Sequence, residues 1–508
     1  MGSSKHQGVA VLVLSLALAA APFAAEEARS AVRELTDANI METVEKELIM
    51  DPAVVLNSID VAVNQGVVSL TGTVDNILAK ERAARVAETV RGVRAVVNRI
   101  DVEPVLLRSD TDIARDVEDA LLTDSATESF EVQVAVSDGT VTLTGTVDSW
   151  QEKRLAGIVA KGVRGVTGLR NGIDVVSGEA RPDAEIAAEV EETLRWDELV
   201  DHALIEVAVE DGRVRLSGVV GSAAEKRRAM IDAHVTGVTS VDASGLDVKL
   251  WARDEDLRED KYVGASDESV RKAVEDALLY DPRVVSLNVT TRVDDGVVIL
   301  RGVVNDLMEK RAAARDARNT VGVLGVKNRL KVRPSRPVDP ETLERKASDA
   351  VSRDPYLEPY EITVEVFGGT ATLHGSVDSY HEKAQAEDVV SRIEGIRSVE
   401  NKLTVDYDLS YFVHDPYVDD LDPSDYRWYR PEPLTPRAGD AEIRTEIEDE
   451  LWWSPFVDEG DVEVTVVNGR AKLTGEVDSW SEYGAAARNA YEGGAVWVDN
   501  RLEVDTAS

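Results

Sequence analysis

One sequence module recurs six times, and this repetition constrains the fold more than any other feature, because each copy must form a core of its own. Two glycines frame an alternating segment, and a third glycine follows at a nearly constant distance. The spacing between copies is constant except before the fourth and the sixth, where extra chain is inserted. These structural glycines are Gly66, Gly72 and Gly92; Gly139, Gly145 and Gly165; Gly212, Gly218 and Gly237; Gly296, Gly302 and Gly322; Gly369, Gly375 and Gly395; and Gly469, Gly475 and Gly494.

The first half of each module predicts a helix followed by a hairpin. An apolar triplet with a spacing of four positions, such as Ile113, Val117 and Leu121, is typical of the buried stripe of an amphipathic helix. Alternating apolar residues then predict a half-buried strand. Dipeptides of the Asp-Gly, Asn-Gly or Gly-Gly type provide the positive φ that a tight hairpin needs, so a second strand returns antiparallel.

The second half of each module predicts another helix and a last strand. Ser149 and Glu152 have the spacing of a capping box, which satisfies free amides at a helix start. The late glycine is predicted to end this helix as its C-cap. An Asn shortly beyond that glycine recurs in five modules, and Ala243 replaces it in the third. The predicted fold is α+β, with six tandem α-β-β-α-β modules, each of two helices on one face of a three-stranded mixed sheet.

The repeat spacing also predicts the module boundaries. A segment at 251–264 separates modules 3 and 4, and a segment at 408–437, rich in Tyr, Pro and Asp, precedes module 6. Proline and charge favour an extended hinge in the latter, whereas its aromatic residues favour packing on a neighbouring module. Modules 1 to 6 are predicted at residues 36–105, 109–178, 181–250, 265–334, 338–407 and 438–506.

The N-terminal segment predicts an exported protein. A short polar start is followed by an apolar run and then by Ala24 and Ala25, the pattern of a cleaved secretory signal peptide at 1–25. A retained membrane anchor is the alternative, but a bilayer span needs about 20 apolar residues, and this run is shorter. We therefore expect a periplasmic location.

Charge and cysteine content exclude several classes of function. The chain has 57 basic and 96 acidic residues, a net charge of -39, and it should repel nucleic-acid backbones. It contains no cysteine, which excludes disulfides, thiolate metal sites and a cysteine nucleophile. His374 and His381 lie within one module, but two unrelated histidines are the simpler interpretation. We expect no enzyme activity, no cofactor and no metal site.

The acidic residues of the 408–437 segment have the chemistry of calcium ligands. Calcium prefers oxygen ligands, but the regular spacing of a calcium loop is missing, so a solvated acidic segment is the favoured interpretation. The residues concerned are Asp415, Asp419, Asp420, Asp422 and Asp425.

Aromatic residues are the candidate contact residues. Trp150, Tyr380 and Trp480 occupy one equivalent position after the N-cap of the second helix, where side chains usually point outward. There they could anchor at a membrane interface or fill a pocket of a partner, or they could pack on their own module. The adjacent pair Trp452 and Trp453 cannot share one helical face, so one of them is also a candidate.

The order of elements, the hairpin glycine, the G-x-V-[DN] after the second strand and the late glycine with its Asn resemble the BON domain. That module occurs in osmotically induced periplasmic proteins. Gly221 departs from the pattern where module 3 lacks the acidic residue. The resemblance implies a protein that binds phospholipid and supports the cell envelope during osmotic stress.

Two functions from different classes remain open. In the first, an elongated string of modules docks on phospholipid membranes, although so acidic a chain needs bridging divalent cations or inserted apolar side chains to approach an anionic leaflet. In the second, the array is a periplasmic scaffold or chaperone-like protein that binds envelope proteins at its sheet edges, with avidity from repetition.

Overall fold

The computed structural model describes most of the six modules and part of the segment that precedes module 6. The described residues are 35–54, 58–124, 126–127, 131–176, 181–253, 265–334, 338–358, 360–406, 417–418, 421, 425–426, 428, 438–454 and 456–504. The predicted signal peptide therefore lies outside the described residues.

Each module contains a first and a second helix, as the apolar spacing predicts. The first helices are Asp37–Met50, Asp110–Thr123, Asp183–Trp196, Asp267–Tyr280, Pro340–Arg353 and Asp440–Trp453. The second helices are Ile77–Thr89, Trp150–Lys161, Ala223–Asp232, Leu307–Arg318, Tyr380–Ser391 and Trp480–Glu492.

Each module also contains three strands, two between its helices and one after the second helix. They form a mixed sheet in which the second strand lies between the first and the third. The first two strands are antiparallel, and the third is parallel to the second. In modules 1 and 5 the third strand is interrupted. The strands are Ser58–Asn64, Val67–Val74, Ala95–Asn98 with Asp101–Val102; Glu131–Ser137, Thr140–Val147, Gly168–Val175; Ile205–Glu210, Arg213–Val220, Ser240–Val248; Val289–Asp294, Val297–Val304, Gly325–Val332; Ile362–Phe367, Thr370–Val377, Ser398–Asn401 with Thr404–Val405; and Val462–Val467, Arg470–Val477, Trp497–Val504.

Each module has its own hydrophobic core between its two helices and one face of its sheet. In module 2 the core contains the predicted triplet Ile113, Val117 and Leu121 together with Val141 and Leu143 of the second strand. The six cores confirm the predicted fold class, an array of α+β modules with both helices on one face of each sheet.

The hairpins are as tight as their sequences predict. Asp138 has a φ of 50° and Gly139 one of 72°, so the turn uses the left-handed conformation at both positions. Gly145, in the second strand, has a φ of 137°, and a Cβ there would lie 2.1 Å from the Glu131 carbonyl oxygen. The second glycine is therefore required by the close approach of the first strand.

An aspartate in the first turn of the first helix holds the hairpin in place. In module 2 the Asp110 carboxylate accepts hydrogen bonds from the backbone N–H groups of Asp138 and Gly139, both at 2.9 Å. Modules 1, 3, 4 and 6 have the same pair of bonds. Pro340 replaces this aspartate in module 5, where the turn is Gly368-Gly369.

The predicted role of the late glycines as C-caps is wrong. In module 1 the second helix ends at Thr89 with Val90 as its C-cap, and Gly92 lies further along, in the turn to the third strand. The late Asn secures that strand: Asn98 Nδ2 donates to the Lys80 carbonyl at 2.6 Å. In module 3, which lacks the Asn, the Lys226 ammonium donates to the Leu246 carbonyl of the third strand at 2.6 Å, a bond that Lys383 and Leu403 also make in module 5 beside the Asn401 bond.

Modules of the two halves of the chain pair through one repeated backbone contact. The residue before the late glycine of one module donates its N–H to the carbonyl of the last residue of its partner's first helix. The expected elongated string is therefore wrong, because module 1 contacts module 6. The donors and acceptors are Arg91 and Trp453 for modules 1 and 6 at 3.3 Å, Arg164 and Arg353 for modules 2 and 5 at 2.6 Å, and Val321 and Trp196 for modules 4 and 3 at 2.9 Å.

Modules 1, 2 and 3 also contact one another through their second helices. Each contact joins the first half of one second helix to the end of a neighbour's, so the three modules form a ring with approximate threefold symmetry. The contacts are Lys161 Nζ to Glu81 Oε2 at 2.7 Å, Arg227 Nε to Glu88 Oε2 at 2.5 Å, and Gln151 Nε2 to the His234 carbonyl at 2.8 Å.

We expect Asp110→Ala to destabilise module 2 by about 1–3 kcal/mol, because two charge-assisted hydrogen bonds to the hairpin are lost. Hydrogen exchange of the Asp138 and Gly139 amides measures the effect locally. Glu118→Ala removes an exposed carboxylate from the same helix and serves as the control. Equal exchange rates in the two variants would show that the aspartate does not hold the turn.

Candidate functional site

Trp150, one of the predicted contact residues, packs against a neighbouring module of the same chain. Its ring stacks on that of His234 of module 3, with centroids 3.7 Å apart and an interplanar angle of 19°. Gln151, the next residue, bonds the His234 carbonyl. Burial lowers the pKa of His234 below its ordinary value, and nearby Arg154 acts in the same direction. Trp150, which is half-buried, therefore contacts module 3 through one face of its ring.

Tyr380, at the equivalent position in module 5, packs against the segment that precedes module 6. Its ring stacks on Trp428 with centroids 6.1 Å apart. The Trp428 indole N–H donates to Glu387 Oε2 at 2.6 Å, and the Lys383 ammonium lies 4.6 Å from the Trp428 ring centroid.

The described residues of the 408–437 segment are packed against five modules. Tyr417 donates to the Leu199 carbonyl of module 3 and stacks on Phe456 of module 6. Val418 joins the core of module 1. Asp425 pairs with Arg318 of module 4 at 3.3 Å, and Trp428 bonds to Glu387 of module 5. Of the two alternatives for this segment, an extended hinge or packing on a neighbouring module, the described residues therefore show packing.

Trp452 and Trp453 lie at the contact between modules 6 and 1. The Arg91 guanidinium lies 4.8 Å from the Trp452 ring centroid and donates to the Trp452 carbonyl at 2.7 Å. Trp453 is 8% exposed and packs against the core of module 1. A Lys46–Glu450 ion pair flanks the two tryptophans.

Trp480 begins the second helix of module 6, and its side chain lies outside the described part of the chain. The contact of all five aromatic residues with a membrane or a partner protein stays a prediction. What the sequence did not reveal is that Trp150, Tyr380, Trp452 and Trp453 contact other parts of the same chain. The recurring Arg before the late glycine, Arg91 and Arg164, is a signal that could have indicated such contacts.

The histidines and the acidic segment form no site in the described structure. His381 is buried edge-on against Tyr356, with centroids 5.1 Å apart, and His374 lies in the second strand of the same module. Of the aspartates considered as calcium ligands, only Asp425 is described. In the described ranges no three His, Asp or Glu residues are arranged to hold a metal ion.

Exposed apolar side chains cluster at one end of module 1. Ile49 and Met50, at the end of the first helix, are 67% and 64% exposed. Val105, Leu106 and Leu107, which follow the third strand, are 85%, 56% and 93% exposed. The strand pairing places the start of the first strand and the end of the third at the same end of the sheet. We call these five residues the apolar end of module 1.

The corresponding end of module 4 has a similar character. Leu279, at the end of its first helix, is 59% exposed, and Val285 and Leu287, in the loop to the first strand, are 45% and 96% exposed. Exposed apolar clusters of this kind are typical of surfaces that contact a membrane or another protein. No helix among the described residues is long and apolar enough to span a bilayer.

Comparison with known proteins supports the family resemblance. The BON domain model matches residues 36–104, 109–177, 182–249, 266–334, 339–407 and 439–506, which is more than half of the chain. Osmotically-inducible protein Y of Escherichia coli (strain K12) is 32% identical over 143 residues, covering 27% of this chain and 71% of that protein. An uncharacterized protein in the gshII 5' region of Anaplasma centrale is 31% identical over 137 residues, covering 26% of this chain and 89% of that protein.

Two solved structures of CdsD, a structural protein of the type III secretion system of Chlamydia trachomatis, are similar to part of the chain. Both are 17% identical to it, with a TM-score of 0.13. They cover 45% and 44% of this chain, and 100% and 94% of the CdsD chains.

We expect the contact between modules 2 and 3 to weaken in acid. Because the pKa of His234 is lowered on folding, the unfolded chain binds this proton more readily, and stability falls as the pH drops below the ordinary histidine value of about 6.5. His234→Gln should therefore show a smaller loss of Tm between about pH 7.5 and pH 5.5 than the parent protein. His374→Gln is the control, and equal losses in the parent and in His234→Gln would contradict the assignment.

Proposed function

The chain belongs to the BON domain family, and from that premise we propose that it is a non-enzymatic, exported envelope protein. Its modules bind phospholipid membrane surfaces and support envelope integrity or osmotic-stress tolerance. The name of the relative in Escherichia coli, an osmotically inducible protein, supports the second part of the proposal. The observation that carries the first part is the apolar end of module 1.

Charge alone would keep this protein away from an anionic bilayer. The net charge of -39 is repelled by anionic headgroups within about a Debye length of the surface, roughly 8–10 Å at physiological salt. Membrane binding must therefore use apolar insertion, divalent cations that bridge carboxylates to phosphates, or both. Apolar insertion needs side chains that protrude from the fold, which is the condition that Val105 and Leu107 meet.

The apolar end of module 1 is large enough to bind weakly by insertion. Burying a Leu or Val side chain is worth about 1.5–3 kcal/mol. Five such residues, two on the helix end and three in succession after the third strand, provide several times that value before the cost of immobilising the protein. The similar end of module 4 is a second site of the same character, and it would raise the overall affinity where both ends reach one membrane together.

A protein-binding scaffold is the second candidate, and one observation favours it. Phe367 is 90% exposed at the end of the first strand of module 5, and Val467 is 64% exposed at the equivalent position in module 6. The first strand is an edge of each sheet. An open edge beside an exposed apolar side chain is a site at which an extended segment of another protein can add a strand.

Co-sedimentation with vesicles tests the membrane proposal. We expect the parent protein to bind zwitterionic vesicles without divalent cations, and anionic vesicles only with millimolar magnesium or calcium. The double variant Val105→Glu/Leu107→Glu should bind zwitterionic vesicles at least about tenfold less, since it removes two inserting side chains.

The control is Ala62→Glu/Ala135→Glu, which makes the same charge change on the exposed sheet faces of modules 1 and 2. It should bind zwitterionic vesicles as the parent does. Equal weakening in both double variants would assign the effect to charge and contradict insertion. Failure of the parent protein to bind any vesicle would reject the membrane proposal, and capture of envelope proteins that depends on Phe367 would then support the scaffold.

A further inference from the structure

A cavity of about 500 Å³ lies where modules 2, 3 and 4 meet. Its walls are the first helices of modules 3 and 4 and the second helices of all three modules. This volume falls within the range of pockets that hold small organic ligands, about 300–1,000 Å³. The membrane proposal makes no use of the cavity, so its role is a separate question.

The cavity follows the approximate twofold symmetry of the pair formed by modules 3 and 4. Two backbone hydrogen bonds join the pair, from Val321 to the Trp196 carbonyl at 2.9 Å and from Glu198 to the Asn319 carbonyl at 3.0 Å. Equivalent positions in the two modules therefore line the cavity as matched pairs. These pairs are Trp196 and Tyr280, Glu192 and Asp276, Asp197 and Asp281, and Asp232 and Asp316.

Acidic side chains outnumber basic ones in the lining of the cavity. Seven carboxyl groups and five basic groups line it, and two of the basic groups bond to carboxylates at the ends of the first helices. Arg228 Nε donates to Asp197 Oδ2 at 2.9 Å, and Arg283 Nε donates to Asp281 Oδ1 at 2.9 Å. The carboxylates are Glu189, Glu192, Asp197, Asp232, Asp276, Asp281 and Asp316, and the cations are Arg154, Arg228, Lys272, Arg283 and Arg315.

Asp232 and Asp316, one from each module, have buried oxygens that receive no hydrogen bond from a nitrogen donor. Asp232 Oδ2 receives none, although Arg228 Nε lies 3.4 Å away, and the Asp232 side chain is only 9% exposed. Asp316 Oδ2 is likewise buried and receives no hydrogen bond from a nitrogen donor, and each of the two carboxyl groups lies within hydrogen-bonding reach of a second one, Asp197 for Asp232 and Asp281 for Asp316. Two buried carboxyl groups that lie side by side repel each other when both are ionised, so both pairs gain from a ligand that donates hydrogen bonds or carries positive charge.

Aromatic rings supply the second element of the site. Trp196 and Tyr280 end the two first helices, and Trp150 lines the cavity from module 2. The Trp196 indole donates to Glu192 Oε1 at 2.7 Å, and its ring packs against the core of module 4. Aromatic faces beside carboxylates are the surroundings that organic cations prefer, through cation–π attraction together with ion pairing.

We propose that the cavity between modules 2, 3 and 4 binds a small organic cation, an amine or a quaternary ammonium compound. Asp232 and Asp316 hold its charge, and Trp196, Tyr280 and Trp150 contact its carbon atoms. A single metal ion fits less well, because no three carboxylates among the described residues are close enough to coordinate one. The site depends on the pairing of modules 3 and 4, which the bound cation would reinforce.

Binding should release protons. Burial raises the pKa of Asp232 to about 8, with Arg228 opposing that shift and Asp197 adding to it, while Arg154 of module 2 also opposes it. Burial likewise raises the pKa of Asp316 well above its ordinary value, with Asp281 adding to the shift and Arg283 and Arg315 opposing it. An incoming cation favours the ionised carboxylates. Affinity should therefore rise with pH, by up to about tenfold per unit for each titrating group below its pKa.

Isothermal titration calorimetry of the full mature chain tests the proposal, with putrescine as the amine and choline as the quaternary ammonium compound, at constant sodium chloride. We expect one of the two compounds to bind, and to bind more tightly at about pH 8.5 than at pH 6.5. Because binding releases protons, the measured binding enthalpy should change with the ionisation enthalpy of the buffer. Putrescine alone would identify an amine site, and choline alone would identify a quaternary ammonium site.

The variant Asp232→Asn/Asp316→Asn should lose at least about tenfold in affinity together with the proton release, since each pH-dependent charge is replaced by a neutral amide of similar shape. This variant should keep the Tm of the parent protein, because replacing two buried carboxyl groups with amides removes the free-energy cost of burying those acids. Asp119→Asn/Asp349→Asn is the matched control, at the positions of modules 2 and 5 equivalent to Glu192 and Asp276, and should bind as the parent does. Absence of binding by either compound, or unchanged binding in the first variant, would overturn the proposal.

Discussion

The second helix of module 1 is buried on two sides, and its second buried face holds neighbouring modules against it. In module 1, Ala79 and Ala83 face their own sheet, whereas Arg82 and Thr89 are also buried, and Ile77 belongs to the core of module 2. A helix with two buried faces needs neighbours, because an exposed second face would leave apolar area in water. This burial, together with the backbone contacts that pair module 1 with 6, 2 with 5 and 3 with 4, packs the modules against one another instead of leaving a string.

The same chain positions mediate these contacts in different modules, so one evolved module surface is used repeatedly. Where the contact changes, the side chains change with it. Arg311 of module 4 reaches Glu387 and Ser391 of module 5, as Arg227 of module 3 reaches Glu88 of module 1. The described residues before module 6 fill gaps between modules with Tyr417, Val418 and Trp428. Packing of repeats thus creates surfaces and cavities that no single module has.

Local structure could be predicted from the sequence, whereas contacts between modules could not. The hairpins, the helix N-caps and the apolar stripes depend on residues close in sequence, and their patterns identified them. The late glycines were misassigned because a helix C-cap and a turn shortly after it have the same glycine requirement. The helix position of Trp150 is one that usually faces outward, and the sequence leaves both exposure and packing on its own module open; only the tertiary structure places His234 over its ring. The acidic cavity was missed for the same reason: its matched carboxylates belong to different modules and are distant in sequence.

The central claim is that modules from the two ends of the chain lie side by side, and distance measurement between paired spin labels tests it most directly. The chain has no cysteine, so cysteines introduced at the exposed residues Glu42 and Arg444 would be the only labelled sites. The Lys46–Glu446 contact of 3.7 Å predicts one narrow distribution at roughly 20–35 Å, a few helical turns plus the label arms. A string of six modules would instead separate the labels by more than about 80 Å, since each first helix alone is about 21 Å long. That result would contradict the account.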